Sequence, residues 1–419
     1  MRIKKLFDGP ELPRESTVDK PFAWIVCLLV FMTNVILFGP NYAYPLLFPE
    51  IKDDLEITDS DLAWLYPITL LNTLIFAPLF NEIINRLGMR LSQTLAVLLW
   101  SLAMFASLLI NNLATLILFI GIIPGFVAGI QYVATTMAMV RYFDKNFVLA
   151  LSLSSCGIGC GSFIMPPVVG LLASYNSWRI VLFTLGTMQL QSLVTAASLR
   201  NLAPKKSVEL DKNDSQKEEN FFQRLCFNLP TLSLNFGTIF HLTCISIVAT
   251  FLIPLARLQG IDQSGCIQIG LCMGLGNCLG RIVFGLILRK WPVFSGTSVL
   301  WTSSLCTSLM SFCLPISASN LNLMSAFAFI YGVALFSPVG LTAVFSGEMV
   351  RSDQSMKAFS LNVLAEGVGC FAAAPISTIL IHLDESFFAC FYYSGAALFV
   401  AVLFFSLPLY TVHFAKNKK

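Results

Sequence analysis

The sequence predicts an all-α membrane protein, with twelve transmembrane helices in two six-helix halves. Three observations predict it. Of 419 residues, 56% are hydrophobic and only 12% charged, about half the charge of a soluble globular chain, and the mean hydropathy is +0.76. The apolar residues gather in twelve runs, each long enough to cross a bilayer as a helix of about 20 residues. The basic residues fall almost entirely on one side of those runs. Such a composition excludes a soluble enzyme, a disordered regulator and a nucleic-acid-binding domain, and a net charge of +3 points to no acidic partner. No alternating ten-residue pattern of a membrane barrel occurs, and a helix satisfies its backbone internally in lipid.

The runs lie at about 22–44, 62–84, 92–111, 113–137, 147–170 and 178–198, then 230–256, 264–288, 294–314, 321–346, 358–381 and 387–411. Polar breaks such as Lys52-Asp53-Asp54 and Asn111-Asn112 separate them. Segments 22–199 and 228–411 read as the two halves, 200–227 as the loop between them, and 1–21 and 412–419 as tails. Twenty-two of the 26 Lys and Arg fall in the tails and the even-numbered loops, while Lys52, Arg179 and Arg257 lie opposite and Arg281 lies inside a span. The positive-inside rule then puts both termini in the cytosol, in a multi-pass protein of the plasma membrane. The polar start, with Asp8, Glu11, Glu15 and Asp19, is expected to carry no cleavable signal, and the first span is expected to act as its own insertion signal. The sequon Asn213-Asp214-Ser215 sits in the cytosolic loop and is expected to be unused. The twelve Cys are scattered with no C-x-x-C pair, so the expectation is gap-filling buried thiols, with no metal site and no disulfide framework.

Two ionisable residues stand out inside the spans. Arg281 is eight residues from Arg289, and Glu366 nine from Lys357. At about 1.5 Å per residue both sit about 12–14 Å above the cytosolic boundary, where a lone charge costs about 2.5–3.5 kcal/mol. Equal depth permits a contact. The Arg281 fork can hold a substrate carboxylate by two oxygens. Glu366 could neutralise Arg281 in the empty site, bind the cationic end of a zwitterion or carry a coupling proton; a permanent structural ion pair is the alternative. Asn277, one turn before Arg281, can bond the same ligand or orient the guanidinium. His241 in span 7 is the other proton-coupling candidate, or else a helix-packing hydrogen-bond partner. Asn41 and Tyr42, beside Pro40 and Pro45, make span 1 polar near its outer end, either at a helix break lining a cavity or as an interfacial aromatic belt. Gln131 in span 4 is a further cavity candidate. The glycines from Gly270 to Gly285 follow no strand and read as helix packing rather than a nucleotide loop.

Local motifs narrow the class. Gly157-Ile158-Gly159-Cys160 recurs as Gly367-Val368-Gly369-Cys370, and Pro166 as Pro375, each in the fifth span of its half. Asn81 to Arg90, reading NEIINRLGMR, resembles the G-x-x-x-D-R-x-G-R loop of the major facilitator superfamily, with Asn81 for Gly and Asn85 for Asp. A turn at Gly88, with Arg86 and Arg90 docked on helix ends, would hold one gate state; plain positive-inside charge is the simpler reading. Tyr142, Phe143 and Lys145, followed by Leu149, Ala150 and Gly157, resemble the Y-F-x-K-R-R-x-L-A-x-G-x-x-x-x-G pattern of the monocarboxylate transporter family. Asp19 and Trp24 fit the ends of that family's span-1 motif, and Trp178-Arg179 the pair opening its span 6.

The resemblance covers nearly the whole chain and implies the major facilitator fold, with substrate held between rocking halves. Asn146 and Phe147 replace two Arg of the span-5 motif. In proton-coupled lactate-type members a span-1 Lys and a span-8 Asp-x-x-x-Arg carry proton and carboxylate. Aligned on Phe48 and Glu50, Tyr42 stands at the Lys position here; Arg281 matches the Arg and Asn277 replaces the Asp. The resemblance therefore implies a secondary transporter for a small organic carboxylate or zwitterion, such as a short monocarboxylate, an aromatic amino acid, or a creatine- or carnitine-like molecule. Symport with protons and uniport both remain open. It implies no cofactor; a single-span accessory subunit is a further candidate partner besides substrate and lipid. A non-transporting receptor or sensor on the same fold is the alternative. An intramembrane enzyme is not expected, because no His/Asp/Glu/Ser cluster gathers at one depth.

Overall fold

The computed structural model describes residues 17–58, 61–62, 64–200, 228–291, 293–317, 320–350, 354–383 and 387–417. The 201–227 loop with its sequon, and residues 1–16 and 418–419, lie outside the described residues. The apolar runs become helices: α1 Pro21–Ala43, α2 in two pieces Leu65–Ile75 and Ala77–Leu87, α3 Met89–Phe105, α4 Leu113–Tyr142, α5 Phe147–Ala173 and α6 Trp178–Ser198. The second half holds α7 Leu229–Leu258, α8 Gln263–Lys290, α9 Gly296–Ser317, α10 Leu321–Glu348, α11 Ser355–Leu383 and α12 Phe388–Asn417. Among the described residues, eleven are long and apolar enough to span a bilayer by themselves, and the two pieces of α2 make the twelfth when counted together. Those pieces bend by 53° at Phe76, where Pro78 removes the amide that would have bonded the Leu74 carbonyl.

Span α10 is also irregular. Gly332–Phe336 is π-helical and Ser337–Leu341 is 3₁₀, with Pro338 at the start of the latter. Proline supplies no N–H, and the change of helical period frees carbonyls for side chains. Span α4 has a matching π segment at Ile117–Ile122, ahead of Pro124.

Glycines let the helices touch. A methyl at Gly157 would meet the Phe31 carbonyl oxygen of α1 at 2.2 Å, and one at Gly369 the Ile239 carbonyl oxygen of α7 at 2.4 Å. Across the two halves, a methyl at Gly159 would meet the Cys278 nitrogen of α8 at 2.8 Å, and one at Gly367 the Ile75 nitrogen of α2 at 2.9 Å. The repeated Gly-x-Gly-Cys thus works with its roles exchanged. Its first glycine packs within the half in α5 and between halves in α11, and its second does the reverse.

Motifs far apart in sequence meet at the end of the bundle where α1 begins, called here the basic end. The Asp19 carboxylate accepts backbone N–H bonds from Asp144 (3.2 Å), Lys145 (3.0 Å) and Asn146 (3.2 Å), plus the Asn146 side-chain amide at 3.1 Å. Trp24 meets Phe143 edge-on at 5.0 Å. So the span-1 residues anchor the turn that the Tyr142–Lys145 motif forms. Partial burial raises the Asp19 pKa, but the N–H donors outweigh it and hold the group below its ordinary 3.8. A depressed carboxylate stabilises fully above its unfolded pKa and loses that effect as pH falls through the folded value. Asp19→Asn should therefore cost about 1–2 kcal/mol at neutral pH and flatten the acid limb of the melting profile below about pH 4; an unchanged acid limb would refute the assignment.

At the opposite end, Arg179 bonds Asp54 at 2.6 Å and the Ile110 carbonyl at 2.8 Å while stacking on Trp178 at 4.3 Å. That pair clamps the start of α6 to the two neighbouring loops. Between α2 and α3, Gly88 adopts φ +94°, which favours glycine. Arg86 pairs with Glu82 one turn back, both well exposed.

Candidate substrate site between the two halves

Side chains from both halves enclose a cavity of about 100 Å³. The first half gives Asn41 and Tyr42 from α1, Tyr66 from α2 and Tyr132 from α4; the second gives Asn277 and Arg281 from α8, Phe336 from α10 and Glu366 from α11. Towards the basic end the halves are closed, with Tyr132 against Phe359 of α11 at 6.0 Å and only a void of about 10 Å³ beside Asn34, Thr136 and Gly340. At the other end Asn41, Tyr42 and Tyr66 are partly exposed.

Arg281 is held there by tight packing of α8 on α10. Methyls at Gly276 and Gly332 would meet the carbonyl oxygens of Phe329 and Met273, each at 2.2 Å. Ser337 reinforces the joint by donating to the Asn277 carbonyl at 3.0 Å. Arg281 is 4% exposed. Its Nε donates to Asn277 Oδ1 at 2.9 Å and its Nη2 makes a long contact with the Phe336 carbonyl at 3.5 Å. Its Nη1 is buried with no acceptor. A buried charged donor without a partner is costly, and the residue that carries it lines the cavity.

Glu366 borders the same cavity, 2% exposed. It accepts from Thr342 Oγ1 at 2.7 Å and makes no ion pair with Arg281, whose bonds go to Asn277 and Phe336. The two charges therefore share depth and cavity without neutralising each other in this arrangement. His241 sits behind them, 1% exposed, with Nδ1 3.0 Å from Ser304 Oγ and Nε2 3.1 Å from the Leu335 carbonyl. Gln131 does not reach the cavity; it lies inside the first half, accepting from Gln189 Nε2 at 2.8 Å.

Sequence reasoning passed over Tyr66, Tyr132, Thr342 and the Phe336 carbonyl. Pro338 just after Gly332 was the available signal that α10 breaks beside a polar site. Three of the scattered thiols meet in the structure, an arrangement the sequence spacing does not show. Helical spacing puts Cys156 and Cys160 one turn apart, and inter-half packing brings Cys278 to them.

Two six-helix halves around a buried polar cavity, closed at one end, are the architecture of a secondary membrane transporter. Residues 26–296 match the family model of the Major Facilitator Superfamily, and the chain belongs to that superfamily. Curated relatives include monocarboxylate transporter 6 of Homo sapiens, 22% identical over 412 residues, covering 94% of this chain and 81% of that protein. Monocarboxylate transporter 12 of Mus musculus is 24% identical over 432 residues, covering 96% and 88%. Among solved structures, the proton:xylose symporter XylE bound to 6-bromo-6-deoxy-D-glucose superposes with TM-score 0.73 at 13% identity, covering 91% of this chain and 95% of its own. The human organic anion transporter MFSD10 gives 0.72 at 13% identity, covering 92% and 100%; both show the fold. The monocarboxylate transporter-like character read from the Tyr142–Gly157 motif agrees with these relatives, which are transporters and not enzymes. None of them supports a non-transporting sensor.

Proposed function

We propose that the chain moves a small organic carboxylate or zwitterion by alternating access, with Arg281 as the carboxylate-binding group. The observation that carries this is the buried Nη1 of Arg281, without an acceptor, on a residue that lines the inter-half cavity. A carboxylate there would supply the missing acceptor and use the Nη1–Nη2 edge bidentately. Asn277 holds the guanidinium plane through Nε. Glu366 is placed to receive a cationic end, and the three phenols Tyr42, Tyr66 and Tyr132 suit a substrate with a planar or apolar body. In this reading the basic end faces the cytosol, by the positive-inside rule, and the membrane is the plasma membrane. The names of the relatives agree with an anionic substrate.

The test is uptake by proteoliposomes of radiolabelled short monocarboxylates, aromatic amino acids, creatine- and carnitine-like zwitterions and a neutral sugar, with and without a proton gradient. Saturable uptake of a carboxylate-bearing solute is expected. Sugar uptake alone, or binding without flux, would overturn the reading.

His241 supports a coupled proton. Nε2 faces a carbonyl, which only accepts, so Nε2 carries a proton. The Ser304 hydroxyl can donate either to Nδ1 or to the Leu300 carbonyl at 2.7 Å. One geometry thus accommodates neutral and protonated imidazole by reversing a single hydroxyl, with Glu366 the ionisable group sharing its small void. His241→Gln should flatten the pH dependence of uptake; a profile as steep as the wild type would exclude His241 as the carrier.

A further inference from the structure

Beside the Arg281 site, on the seam of α5 and α8, three soft ligands from both halves meet at one point. Cys156 and Cys160 on α5 face Cys278 on α8, with Sγ separations of 3.0 Å for Cys156–Cys278, 3.3 Å for Cys160–Cys278 and 3.9 Å for Cys156–Cys160. All three are free thiols, and their donor atoms lie within 4.8 Å of one another. Cys156 and Cys278 are buried, while Cys160 is half-buried and offers a way in. The two helices approach backbone to backbone here, since a methyl at Gly159 would meet the Cys278 nitrogen at 2.8 Å.

We propose that Cys156, Cys160 and Cys278 form a site for one soft d¹⁰ cation, copper(I) in first place, whose binding fastens α5 to α8 and holds the two halves in the arrangement seen here. Thiolates select copper(I) and zinc over hard cations. Metal–sulfur bonds of about 2.3 Å set the sulfurs of a three-thiolate site about 3.8–4.0 Å apart, so the observed trio needs to open by less than about 1 Å. Three donors in a water-poor seam suit a trigonal monovalent ion better than tetrahedral zinc. Coordination releases the thiol protons and leaves two negative charges on a copper(I) trithiolate, of which the Arg281 guanidinium, three residues beyond Cys278, offsets one. Because the ligands come from both halves, a cation that binds only when they are together stabilises that arrangement by its own binding free energy. Occupancy therefore arrests alternating access. No step of the carboxylate reading is needed for this site.

The experiment uses the purified full chain under anaerobic conditions. Copper(I) is delivered from bicinchoninate, with zinc chloride in a parallel arm, while the ultraviolet thiolate-to-metal band and the melting midpoint are followed. One copper(I) per chain and a raised midpoint are expected. Cys156→Ser, Cys160→Ser and Cys278→Ser should each weaken binding at least tenfold, whereas the double variant Cys306→Ser/Cys313→Ser, at exposed α9 thiols, should bind as the wild type does. Cys160→Ala, at the half-buried position, provides a second variant if a buried serine unfolds the chain. The proposal is overturned by a band that survives Cys278→Ser or disappears in the α9 double variant. It is equally overturned by zinc displacing copper(I) at equal concentration.

Discussion

Arg281→Lys should reduce carboxylate uptake by about 10- to 150-fold, with abundance in the membrane and melting midpoint unchanged. The range follows from the interaction removed. Hydrogen bonds to a charged group contribute about 1.5–3 kcal/mol, and each 1.4 kcal/mol or so is tenfold in rate or affinity. Lysine keeps the positive charge, so the field of the cavity and the cost of burial stay nearly constant. It loses the planar edge formed by Nη1 and Nη2, which alone can meet both carboxylate oxygens. It also loses the Nε bond to Asn277 Oδ1 at 2.9 Å, which fixes the plane of that edge. Asn277→Ala should therefore give a smaller effect in the same direction, mainly in KM. Initial rates in proteoliposomes over a range of substrate concentrations separate these outcomes, and transport by the Arg281→Lys variant at the wild-type rate would remove Arg281 from the site.

Much of this site is legible from scarcity. With 12% of residues charged, Arg281 and Glu366 are conspicuous because lipid penalises them, and both do border the cavity. Depth alone could not decide whether they touch. That depends on α10, which inserts Thr342 beside Glu366 and the Phe336 carbonyl beside Arg281. Those contacts exist because a π segment and Pro338 break the helical period, and hydropathy is blind to period breaks inside an apolar run. The Gly-x-Gly-Cys echo was legible as a repeat, yet its contacts are exchanged between the halves, because small residues announce close approach but not the partner. The three thiols were invisible for a simpler reason. Cys278 lies 118 residues from Cys160, and only the packing of one half on the other joins them.

The broken segment of α10 also ties the two proposed roles together. His241 reaches the Leu335 carbonyl and Arg281 the Phe336 carbonyl, so consecutive peptide units carry the candidate proton site and the candidate substrate site. A π segment can shift its register at modest cost, since its hydrogen bonds are already irregular. Protonation at His241 and carboxylate binding at Arg281 would each pull on the same few carbonyls. In that arrangement coupling requires a single bistable element and no long path.

Gly340→Ala tests that geometry from the other side, and should lower uptake by about 5- to 150-fold through the 1–3 kcal/mol or so that an overpacked methyl costs. The added carbon would lie 2.5 Å from Arg281 Nη1 and 2.6 Å from Ser155 Oγ. Both are too close to stand, and both belong to side chains, so it is the guanidinium and the hydroxyl that must move while the backbone stays. Gly340 has no positive φ, so alanine adds bulk there without backbone strain. Arg281 and Ser155 belong to opposite halves, so the methyl both displaces the carboxylate donor and wedges α5 away from α10 at the closed end. A raised KM is expected from the first effect, and a shift towards the arrangement open at the basic end from the second. Gly270→Ala is the matched control. It lies in the same glycine-rich helix as Arg281 but has nothing within 4 Å of the added carbon, and alanine is favoured over glycine in a helix by roughly 0.5–1 kcal/mol. Its uptake should equal the wild type with an unchanged or higher melting midpoint. Equal loss in both variants would mean that glycine content, and not the room left for Nη1, is what the transporter requires.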